Sequence, residues 1–573
     1  MTRRDQGDEG ERTRAATEAR TNPVGEASAG KPPWKALWVL ALGLAMIVLD
    51  SSIVNVSIPA IINAIHITMT EAQWVTALYS IVLAALLLPA GRLGDMVGRK
   101  RMLQVGTVIF ILGSLLAATS SSGAWLLTAR VVQGIGGSLV MPSTLSSVSA
   151  TFRGKYRATA FGVWGAVMSG AAAVGPFLGG LFTSTIGWRW IFLVNLPLGL
   201  VVILASMAFV PETKSSPAGS ADRFGLLRDW EGILLSALGS AFVVFALIEG
   251  QTYGWVRPAS TLVLGPLVWS NSAPVSPVPI SLVLGLVLLV GFALVELRRK
   301  RQDRIVVLDV SMFTIGTFGW GNLTAAIINA GQFAVIFILP LYMINARGLS
   351  PLQAGSVLGI MALGSVVSGG LARLVSARLG AGGTVQLGLG MEILGVAASV
   401  LFMRDSMPLW TMLVTLVIYG TGLGFASAQL TSLVLSGVPV AQSGQASATQ
   451  STIRQWGTAL GAAVSGSVLS AAVGMVMPAH LEAIPGLPTG VAVAQGLTQS
   501  VRSSAGNVIS SMRMQGTKGQ LGVLGPQVTE ALTRGFTQGA QLSMAFAGVL
   551  LLVGLVASIK VRQAARKAGA DRV

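Results

Sequence analysis

Residues 91–101 of this chain read Gly-Arg-Leu-Gly-Asp-Met-Val-Gly-Arg-Lys-Arg. Apolar runs lie on both sides of this basic stretch, at 74–91 and 102–120. Each run is long enough to cross about 30 Å of hydrocarbon as a helix. Lys and Arg concentrate in the cytoplasmic loops of membrane proteins. The stretch therefore predicts a cytoplasmic connection between two membrane-spanning helices.

The composition of the whole chain favours the same class of protein. Of 573 residues, 52% are hydrophobic and only 11% are charged, and the mean hydropathy is +0.71. Soluble domains carry about 25% charged residues, so this chain has too little charge to cover its surface in water. An ordinary soluble enzyme, a disordered protein and a nucleic-acid binder are excluded. We interpret the net charge of +17 as basic loops that face anionic lipid.

Metal and thiol chemistry are not expected from this sequence. The chain has no cysteine, and its two histidines, His66 and His480, lie far apart. A cysteine or histidine metal site is therefore improbable. There is no Walker A motif either, which argues against an integral ATP pump. We expect no metal and no cofactor.

Apolar runs of about 18–25 residues recur along the chain, and each is a candidate membrane-spanning helix. A short, Pro-bounded apolar stretch at 259–270 is interpreted as part of an outside loop. Clusters of Lys and Arg occur in alternate loops and in the C-terminal tail, which places both termini in the cytoplasm. The fourteen predicted spans are 36–64, 74–91, 102–120, 124–148, 157–183, 190–210, 230–249, 279–297, 315–343, 352–375, 384–403, 408–435, 445–475 and 540–561.

This pattern predicts an all-α polytopic membrane protein with two six-helix bundles and two extra central helices. A weak internal repeat supports the two bundles, because residues 91–98 follow the second span as residues 373–380 follow the tenth. Secondary transporters are often built from such repeats, with the substrate site between the halves. The predicted segments are a disordered cytoplasmic tail (1–35), the N-terminal bundle (36–210), a cytoplasmic linker (211–229), two inserted helices (230–297), a second linker (298–311), the C-terminal bundle (312–562) with a long outside loop (476–538), and a cytoplasmic tail (563–573).

Two details of these segments carry further expectations. The N-terminal tail is not interpreted as a signal peptide, because the first apolar run is too long for an h-region. Within the outside loop, residues 527–536 are expected to form a helix that runs into the last span.

Four local patterns resemble motifs of the major facilitator superfamily, and most closely its fourteen-helix drug:proton antiporter branch. They are Leu49–Pro59 in the first span, the 91–101 stretch, Arg130–Gly137 in the fourth span and Gly170–Gly180 in the fifth. The resemblance covers essentially all of residues 36–562. It implies the major facilitator fold, with two pseudo-symmetric bundles, and transport by alternating access.

Three charged residues inside the predicted spans are candidates for proton coupling. Asp50 lies near mid-membrane, where an ionised Asp costs about 2.5–3.5 kcal/mol on insertion scales. Such a carboxyl group can bind and release a proton during transport; the alternative is a packing acid satisfied by Ser or Asn neighbours. By the resemblance, Arg130 would tune a nearby acid, unless it belongs to a polar packing network. Glu392 is a second proton site, a partner of Arg454, or a structural residue.

The basic stretch between the second and third spans has a second interpretation besides topology. Gly91 and Gly98 permit a tight turn and a close approach of two helices. Asp95 can cap a helix N-terminus and pair with an arginine, which suits a latch for the outward-open state. Arg99 and Lys100 belong to this latch or, alternatively, only hold the loop inside. The copy in the second half lacks the acid, so we expect a one-sided latch.

The glycine-rich fifth span resembles a motif of antiporters rather than symporters. Small residues let two helices touch backbone to backbone, and a proline inside a helix allows a bend. A hinge or seal between the halves is one interpretation, and simple helix packing is the other. Residues 188–199 further along also match the fourteen-helix branch and are interpreted as an interfacial anchor. The predicted hinge residues are Gly170, Gly175, Pro176, Gly179 and Gly180.

Other polar residues of the spans are assigned with less support. Glu249 and Glu296 are placed at span ends, with their charges among the lipid headgroups. The resemblance alone suggests a set of residues that would line the substrate cavity: Asn55, Gln133, Asn329, Gln332, Phe333 and Gln429.

Together these features predict a proton-coupled antiporter that exports lipophilic, often cationic drugs or antibiotics. It would act as a monomer in the lipid bilayer of the cell membrane. The alternatives are a dedicated exporter of one natural product or lipid, a proton symporter for uptake, a membrane-embedded enzyme, and a channel or passive receptor. The fifth-span pattern speaks against the symporter. The lack of clustered acids or histidines at a membrane face speaks against the enzyme, and the two-half repeat against the channel.

Overall fold

The computed structural model describes residues 33–569 apart from 66, 68, 153–154, 214–229, 265–266, 303, 305, 307, 405–407, 440–441, 486–490, 505 and 519–520. From Lys35 onward these residues belong to one compact unit. Long helices dominate it, because backbone N–H and C=O groups in hydrocarbon must be satisfied within their own segment. The predicted N-terminal tail and most of the 211–229 linker lie outside the described residues.

The first half of the fold contains the helices that correspond to the first six predicted spans. The sixth span consists of a four-residue helix followed by a longer one. The Ser122 side chain caps the fourth helix by accepting a hydrogen bond from the backbone N–H of Trp125. The helices are α1 (Trp34–Ile65), α2 (Met69–Val97), α3 (Arg99–Ala118), α4 (Gly123–Thr151), α5 (Lys155–Thr185), α6 (Trp190–Leu193) and α7 (Asn195–Phe209).

Two helices follow between the halves, α8 (Trp230–Tyr253) and α9 (Pro277–Arg301). The 259–270 stretch between them does not form a helix. It contains a short antiparallel hairpin of β1 (Leu262–Leu264) and β2 (Leu267–Trp269). The short length of this stretch predicted a connection rather than a membrane span, and the hairpin agrees with that prediction.

The second half begins at α10 and ends at α16. The tenth helix continues as a short π-helical segment, Tyr342–Ala346, and the eleventh is interrupted at Gly380, whose φ of 76° is not helical. The helices are α10 (Gly316–Leu341), α11 (Pro351–Phe402), α12 (Leu409–Leu435), α13 (Ser443–Glu482), α14 (Val491–Ser503), α15 (Asn507–Gln515) and α16 (Gly525–Lys567).

The predicted outside loop, 476–538, is largely helical. In α14 the buried residues Ala494, Thr498 and Val501 recur at helical spacing, and this face packs against α13. The helix α16 begins at Gly525 and runs unbroken through the last predicted span. The helix expected at residues 527–536 is therefore confirmed.

Twelve helical segments among the described residues are long and apolar enough to cross a membrane. One of them, Leu352–Phe402, includes the interruption at Gly380, and each of its arms has roughly the 20 residues that a span needs. The 31-residue helix α5 is not among the twelve. The count of fourteen spans stays a prediction. Twelve would become fourteen if α11 were counted as two spans and α5 as one more.

The internal repeat is visible in the backbone. Gly98, between α2 and α3, and Gly380, between the two arms of α11, both have positive φ, 124° and 76°. Gly106 and Gly388 follow these residues at the same interval. A Cβ on Gly106 would lie 2.8 Å from a backbone carbonyl oxygen of α4, and one on Gly388 would lie 2.7 Å from a backbone carbonyl oxygen of α12. The two halves thus repeat the same break and the same close helix crossing.

Direct helix contacts join the two halves. The helix α5 packs on α11 and α12, and α2 and α4 both pack on α13. The inserted helix α8 packs against α2 and α13 as well as against α9. Because α8 contacts both halves, it belongs to their interface and is not a peripheral addition.

Candidate functional site

A buried ion pair joins α1 to α4. Arg130 Nη1 donates to Asp50 Oδ2 at 2.6 Å, and both side chains are 0% exposed. Two amides also donate to Asp50 Oδ1: Gln133 Nε2 at 3.0 Å and Asn195 Nδ2 at 2.8 Å. A buried charge is tolerated when it is paired and hydrogen-bonded. This arrangement therefore suits an ionised Asp50.

Arg130 is held from two further helices. Its Nε donates to the backbone carbonyl of Val75 in α2 at 3.0 Å. Its guanidinium carbon lies 4.2 Å from the ring centroid of Tyr79 and 5.9 Å from that of Phe192 in α6. Both distances are within the range of a cation–π interaction. Its Nη2 has no hydrogen-bond partner among the described residues.

Two members of this cluster were not found from the sequence. Ser114 Oγ of α3 accepts hydrogen bonds from Gln133 at 2.8 Å and from Asn195 at 3.2 Å. Asn195 lies within residues 188–199, for which the sequence analysis gave only an anchoring role. An Asn inside such an apolar helix is the signal that identifies it, because polar side chains are rare there.

The second half contains a related buried acid. Gln332 Nε2 of α10 donates to both carboxylate oxygens of Glu392 in α11, at 3.0 and 3.2 Å. The Tyr419 hydroxyl of α12 donates to the backbone carbonyl of Gln332 at 3.5 Å. Gln332 follows Asp50 along the chain at the same interval as Gly380 follows Gly98. Gln332 thus occupies the position in the second half that Asp50 occupies in the first. The acid of the second cluster, Glu392, comes from a different helix.

Glu392 and Arg454 do not form an ion pair in the part of the chain that the structure describes. Arg454 Nη1 instead donates to Thr431 Oγ1 at 3.3 Å. The pairing that the sequence left open is therefore not found. A proton-coupling role for Glu392 stays a prediction, as it does for Asp50 and Arg130.

The predicted latch has a different local structure from the one expected. Gly91 lies inside α2, which continues to Val97, so the chain turns at Gly98 alone. Asp95 Oδ1 pairs with Arg99 Nη2 at 2.8 Å, with both side chains buried. Asp95 Oδ2 accepts a hydrogen bond from the backbone N–H of Gln445 at 3.2 Å. Asp95 thus links α2 to the N-terminus of α13 in the other half; its role as a latch stays a prediction.

Lys100 has contacts within the first half rather than across the interface. Its Nζ donates to the backbone carbonyl of Met207 at 3.0 Å, and its backbone N–H donates to Glu212 Oε1 at 3.2 Å. A Cβ on Gly98 would lie 2.6 Å from the same Glu212 oxygen. Glu212, which the sequence analysis did not single out, therefore caps α3 and fixes the turn.

A second acid holds the N-terminus of α13. Asp309 Oδ2 accepts from Gln442 Nε2 at 3.2 Å, and the Asp309 backbone N–H donates to Gln445 Oε1 at 3.4 Å. Lys300 Nζ at the end of α9 lies 2.7 Å from Asp309 Oδ1. Burial raises the pKa of Asp309, but the hydrogen bonds from Lys300 and Ser311 outweigh it and hold the pKa below its ordinary value of 3.8. Asp309 is therefore ionised at neutral pH.

The predicted hinge residues form the close contacts of α5. A Cβ on Gly175 would collide with a serine side chain of α1, and one on Gly179 would lie 2.6 Å from a backbone carbonyl oxygen of α1. A Cβ on Gly170 would lie 2.8 Å from a valine side chain of α11. Pro176 lies inside the helix, and Gly180 is buried. The helix α5 thus touches α1 on one side and the second half on the other; hinge motion stays a prediction.

Of the six residues suggested for a substrate cavity, the five whose side chains the structure describes do not form one group. Gln133 and Gln332 contact the acids Asp50 and Glu392, each within its own bundle. They therefore belong to the two buried clusters.

The other four differ in their surroundings. Asn329 donates to a backbone carbonyl of its own helix, and Phe333 is half-buried. Gln429 is buried, and neither polar atom of its side chain has a hydrogen-bond partner among the described residues. The Asn55 side chain lies outside the described residues. A cavity role for these four stays a prediction.

The placement of Glu249 and Glu296 at lipid headgroups is wrong. Each side chain is 1% exposed. The helices α8 and α9 continue past these acids, to Tyr253 and Arg301. Both acids therefore lie within helices and pack inside the protein.

Two related helical halves, each with a buried charged cluster, are the architecture of a multi-pass secondary transporter. The family model described as "Major Facilitator Superfamily" matches residues 40–462. The chain belongs to this family.

Relatives within the family are named for transport, for drug resistance or for export. The chain is 30% identical over 434 residues to the riboflavin transporter RibZ of Clostridioides difficile (strain 630), covering 76% of this chain and 87% of that protein. It is 32% identical over 447 residues to the multidrug resistance protein Stp of Mycobacterium tuberculosis (strain CDC 1551 / Oshkosh), covering 78% and 77%. It is 29% identical over 456 residues to the tetracenomycin C resistance and export protein of Streptomyces glaucescens, covering 78% of each.

A solved structure supports the fold. The human organic anion transporter MFSD10 (TETRAN) is similar with a TM-score of 0.53 and 13% identity, covering 92% of this chain and 100% of that chain. Identity this low supports the fold alone. The predicted major facilitator fold is confirmed, and the protein is a transporter and not an enzyme.

Proposed function

We propose that the protein is a proton-coupled antiporter that exports lipophilic, cationic drugs or antibiotics across the cytoplasmic membrane by alternating access. The observation that carries this proposal is the Asp50 carboxylate, held by Arg130 and two amides at 0% exposure. The names of Stp and the tetracenomycin C protein support export as the direction.

Protonation of Asp50 removes the negative charge that Arg130 faces. The guanidinium then lies in a low-dielectric site without a counter-ion, and losing one partner of a buried pair costs about 3–5 kcal/mol. This cost favours a rearrangement of α1 relative to α4. Because α5 touches both α1 and α11, a shift of α1 reaches the interface between the halves. Substrate binding in the rearranged state and release of the proton complete the exchange.

The energy source we propose is the proton gradient, with no cofactor. One charge that crosses 100 mV of membrane potential releases about 2.3 kcal/mol, and a pH difference adds to this. Glu392 offers a second position for a proton in the other bundle. The chain carries both bundles, which supports a monomer in the lipid bilayer. The basic residues at the Asp95 end support cytoplasmic termini.

A second candidate is the transport of one particular solute. RibZ, which is 30% identical, is a riboflavin transporter by name. In that case the buried pair would still couple a proton, but one compound would saturate transport and unrelated lipophilic cations would not compete.

The experiment is transport of a lipophilic cationic dye into inverted membrane vesicles with an imposed pH gradient. The wild type should accumulate the dye, and Asp50→Asn should abolish the part that depends on the gradient. The matched control is Glu530→Gln, which neutralises an exposed acid. Full gradient-driven transport by Asp50→Asn would contradict this role and move it to Glu392. Accumulation only in right-side-out vesicles would indicate uptake instead.

A further inference from the structure

Glu249 in α8 is a buried carboxyl group that has no counter-ion among the residues that the structure describes. It is 1% exposed, and neither carboxylate oxygen has a hydrogen-bond partner among the described residues. The Thr252 hydroxyl, on the next turn, lies beside it without hydrogen-bond geometry. Buried acids in proteins are normally paired or hydrogen-bonded, so an unpartnered one calls for a functional explanation.

Aromatic residues flank Glu249 on its face of α8. Phe245 and Tyr253 lie one turn before and one turn after Glu249, on the same face of α8, and their rings stack with centroids 6.2 Å apart. The ring of Trp74 in α2 lies 5.9 Å from that of Phe245, and its indole lies beside the Tyr253 side chain. Trp456 of α13 packs against the same cluster. Aromatic side chains from α8 and from both halves thus pack together next to the turn that carries the acid.

The aromatic residues around Glu249 lie far from Asp95, and the segment that follows α8 packs next to them. Trp74 is near the beginning of α2, whereas Asp95 is near its end. The Trp255 indole N–H donates to Ser467 Oγ of α13 at 2.9 Å, and a Cβ on Gly250 would lie 2.6 Å from the Trp255 ring. The segment after α8 therefore packs against the residue next to the acid and joins this part of α8 to the second half.

We propose that Glu249, with the rings of Trp74, Phe245 and Tyr253, is a binding site for the cationic group of a lipophilic substrate. The carboxylate supplies the counter-charge, and the ring faces supply cation–π attraction that is strongest in a dry site. A neutral substrate would gain nothing from the carboxylate. The inference rests on the proposed export of cations and assigns part of the recognition to the inserted helix, apart from the Asp50 cluster.

The test measures binding to the purified full chain in detergent by equilibrium dialysis. The probes are tetraphenylphosphonium, a permanent lipophilic cation, and Nile red, a neutral lipophilic dye. For Glu249→Gln the Kd for tetraphenylphosphonium should rise by about tenfold or more, with the Kd for Nile red unchanged. Phe245→Leu should weaken tetraphenylphosphonium binding in the same selective way. Glu249→Asp should retain part of the affinity, and the control Glu530→Gln should retain all of it.

The outcomes separate this site from the proposed function. Two results for a monodisperse Glu249→Gln protein overturn the site. In one, binding of both probes is lost; in the other, binding of neither probe is lost. Absence of tetraphenylphosphonium binding to the wild type overturns it as well. If Glu249→Gln does not fold, Phe245→Leu decides by the same comparison of the two probes. Failure of the vesicle transport experiment with selective binding intact would refute the antiporter proposal while supporting the site.

Discussion

Replacing Arg130 with Gln should destabilise the protein by leaving the Asp50 carboxylate without its cation. Arg130 Nη1 lies 2.6 Å from Asp50 Oδ2 and both side chains are 0% exposed, so water cannot replace the lost guanidinium. Breaking a buried pair on one side costs about 3–5 kcal/mol. The lost hydrogen bond to the Val75 carbonyl and the lost contact with the Tyr79 ring act in the same direction. We expect a decrease in the free energy of unfolding within this range.

The double variant Asp50→Asn/Arg130→Gln should be more stable than Arg130→Gln alone. It removes the uncompensated charge and leaves two amides that can hydrogen-bond with Gln133 and Asn195. Residues that share a hydrogen-bond network have coupling energies of about 0.5–3 kcal/mol, and full burial places this pair near the upper limit. The two single substitutions should therefore be strongly non-additive.

The assay is equilibrium unfolding in mixed micelles at increasing SDS for the wild type, both single variants and the double variant. A control cycle uses the exposed pair of Glu530 and Arg534, with side chains 64% and 58% exposed. Exposed pairs four residues apart on a helix contribute about 0.3–0.5 kcal/mol. A coupling energy for Asp50 and Arg130 no larger than that of the control cycle would refute the reasoning.

Three further predictions concern the latch, the α5 contact and pH. Asp95→Asn loses the charge that faces Arg99, and exposure of the start of α13 to a thiol reagent should increase by about fivefold. A single cysteine introduced there reports this, since the chain has no other. Gly179→Ala should cost about 1–3 kcal/mol in the unfolding assay, because its Cβ would lie 2.6 Å from a backbone oxygen of α1. The pKa of Asp309 is held below 3.8, so its contact with Lys300 should stabilise the protein fully from neutral pH down to 3.8 and be lost as the pH falls through the lowered pKa.

Each of these predictions has a control and a contrary result. For the latch, unchanged labelling of the cysteine would show that Asp95 does not hold the two halves. For the α5 contact, Gly390→Ala is the matched control, because its Cβ would meet nothing within 4 Å; equal costs at Gly179 and Gly390 would contradict the packing argument. For pH, Asp309→Asn should remove the acid-dependent part of the stability. A wild-type stability that already falls between pH 7 and 5 because of Asp309 would contradict the lowered pKa.

The sequence predicted the membrane-spanning helices and the most important charges for a physical reason. Apolar length and loop charge determine which segments enter a bilayer, and both can be read without knowledge of packing. An ionisable residue inside a span must find a partner in the protein, so Asp50 and Arg130 were evident as functional candidates. Their direct contact, however, depends on how α1 lies against α4, which hydropathy does not encode.

The faces of the helices could not be predicted. Lipid is as apolar as the protein core, so hydrophobic periodicity does not tell a buried face from an exposed one. For this reason Asn195 was taken for part of an anchor, and Gln133 for a cavity residue. Glu249 was misplaced for a related cause: the helix α8 runs beyond the apolar window, so an acid that seemed to end the span lies inside the fold.

Gln445 is held from two sides. Its backbone N–H donates to Asp95 of the first half, while its side chain accepts from the Asp309 backbone, which leads into α10 of the second half. Separation of α2 from α13 must therefore break the bond to Asp95, whereas the bond to Asp309 can move together with α13. In the proposed transport cycle, Asp309 would keep the N-terminus of α13 anchored in its own half after the contact with Asp95 is lost.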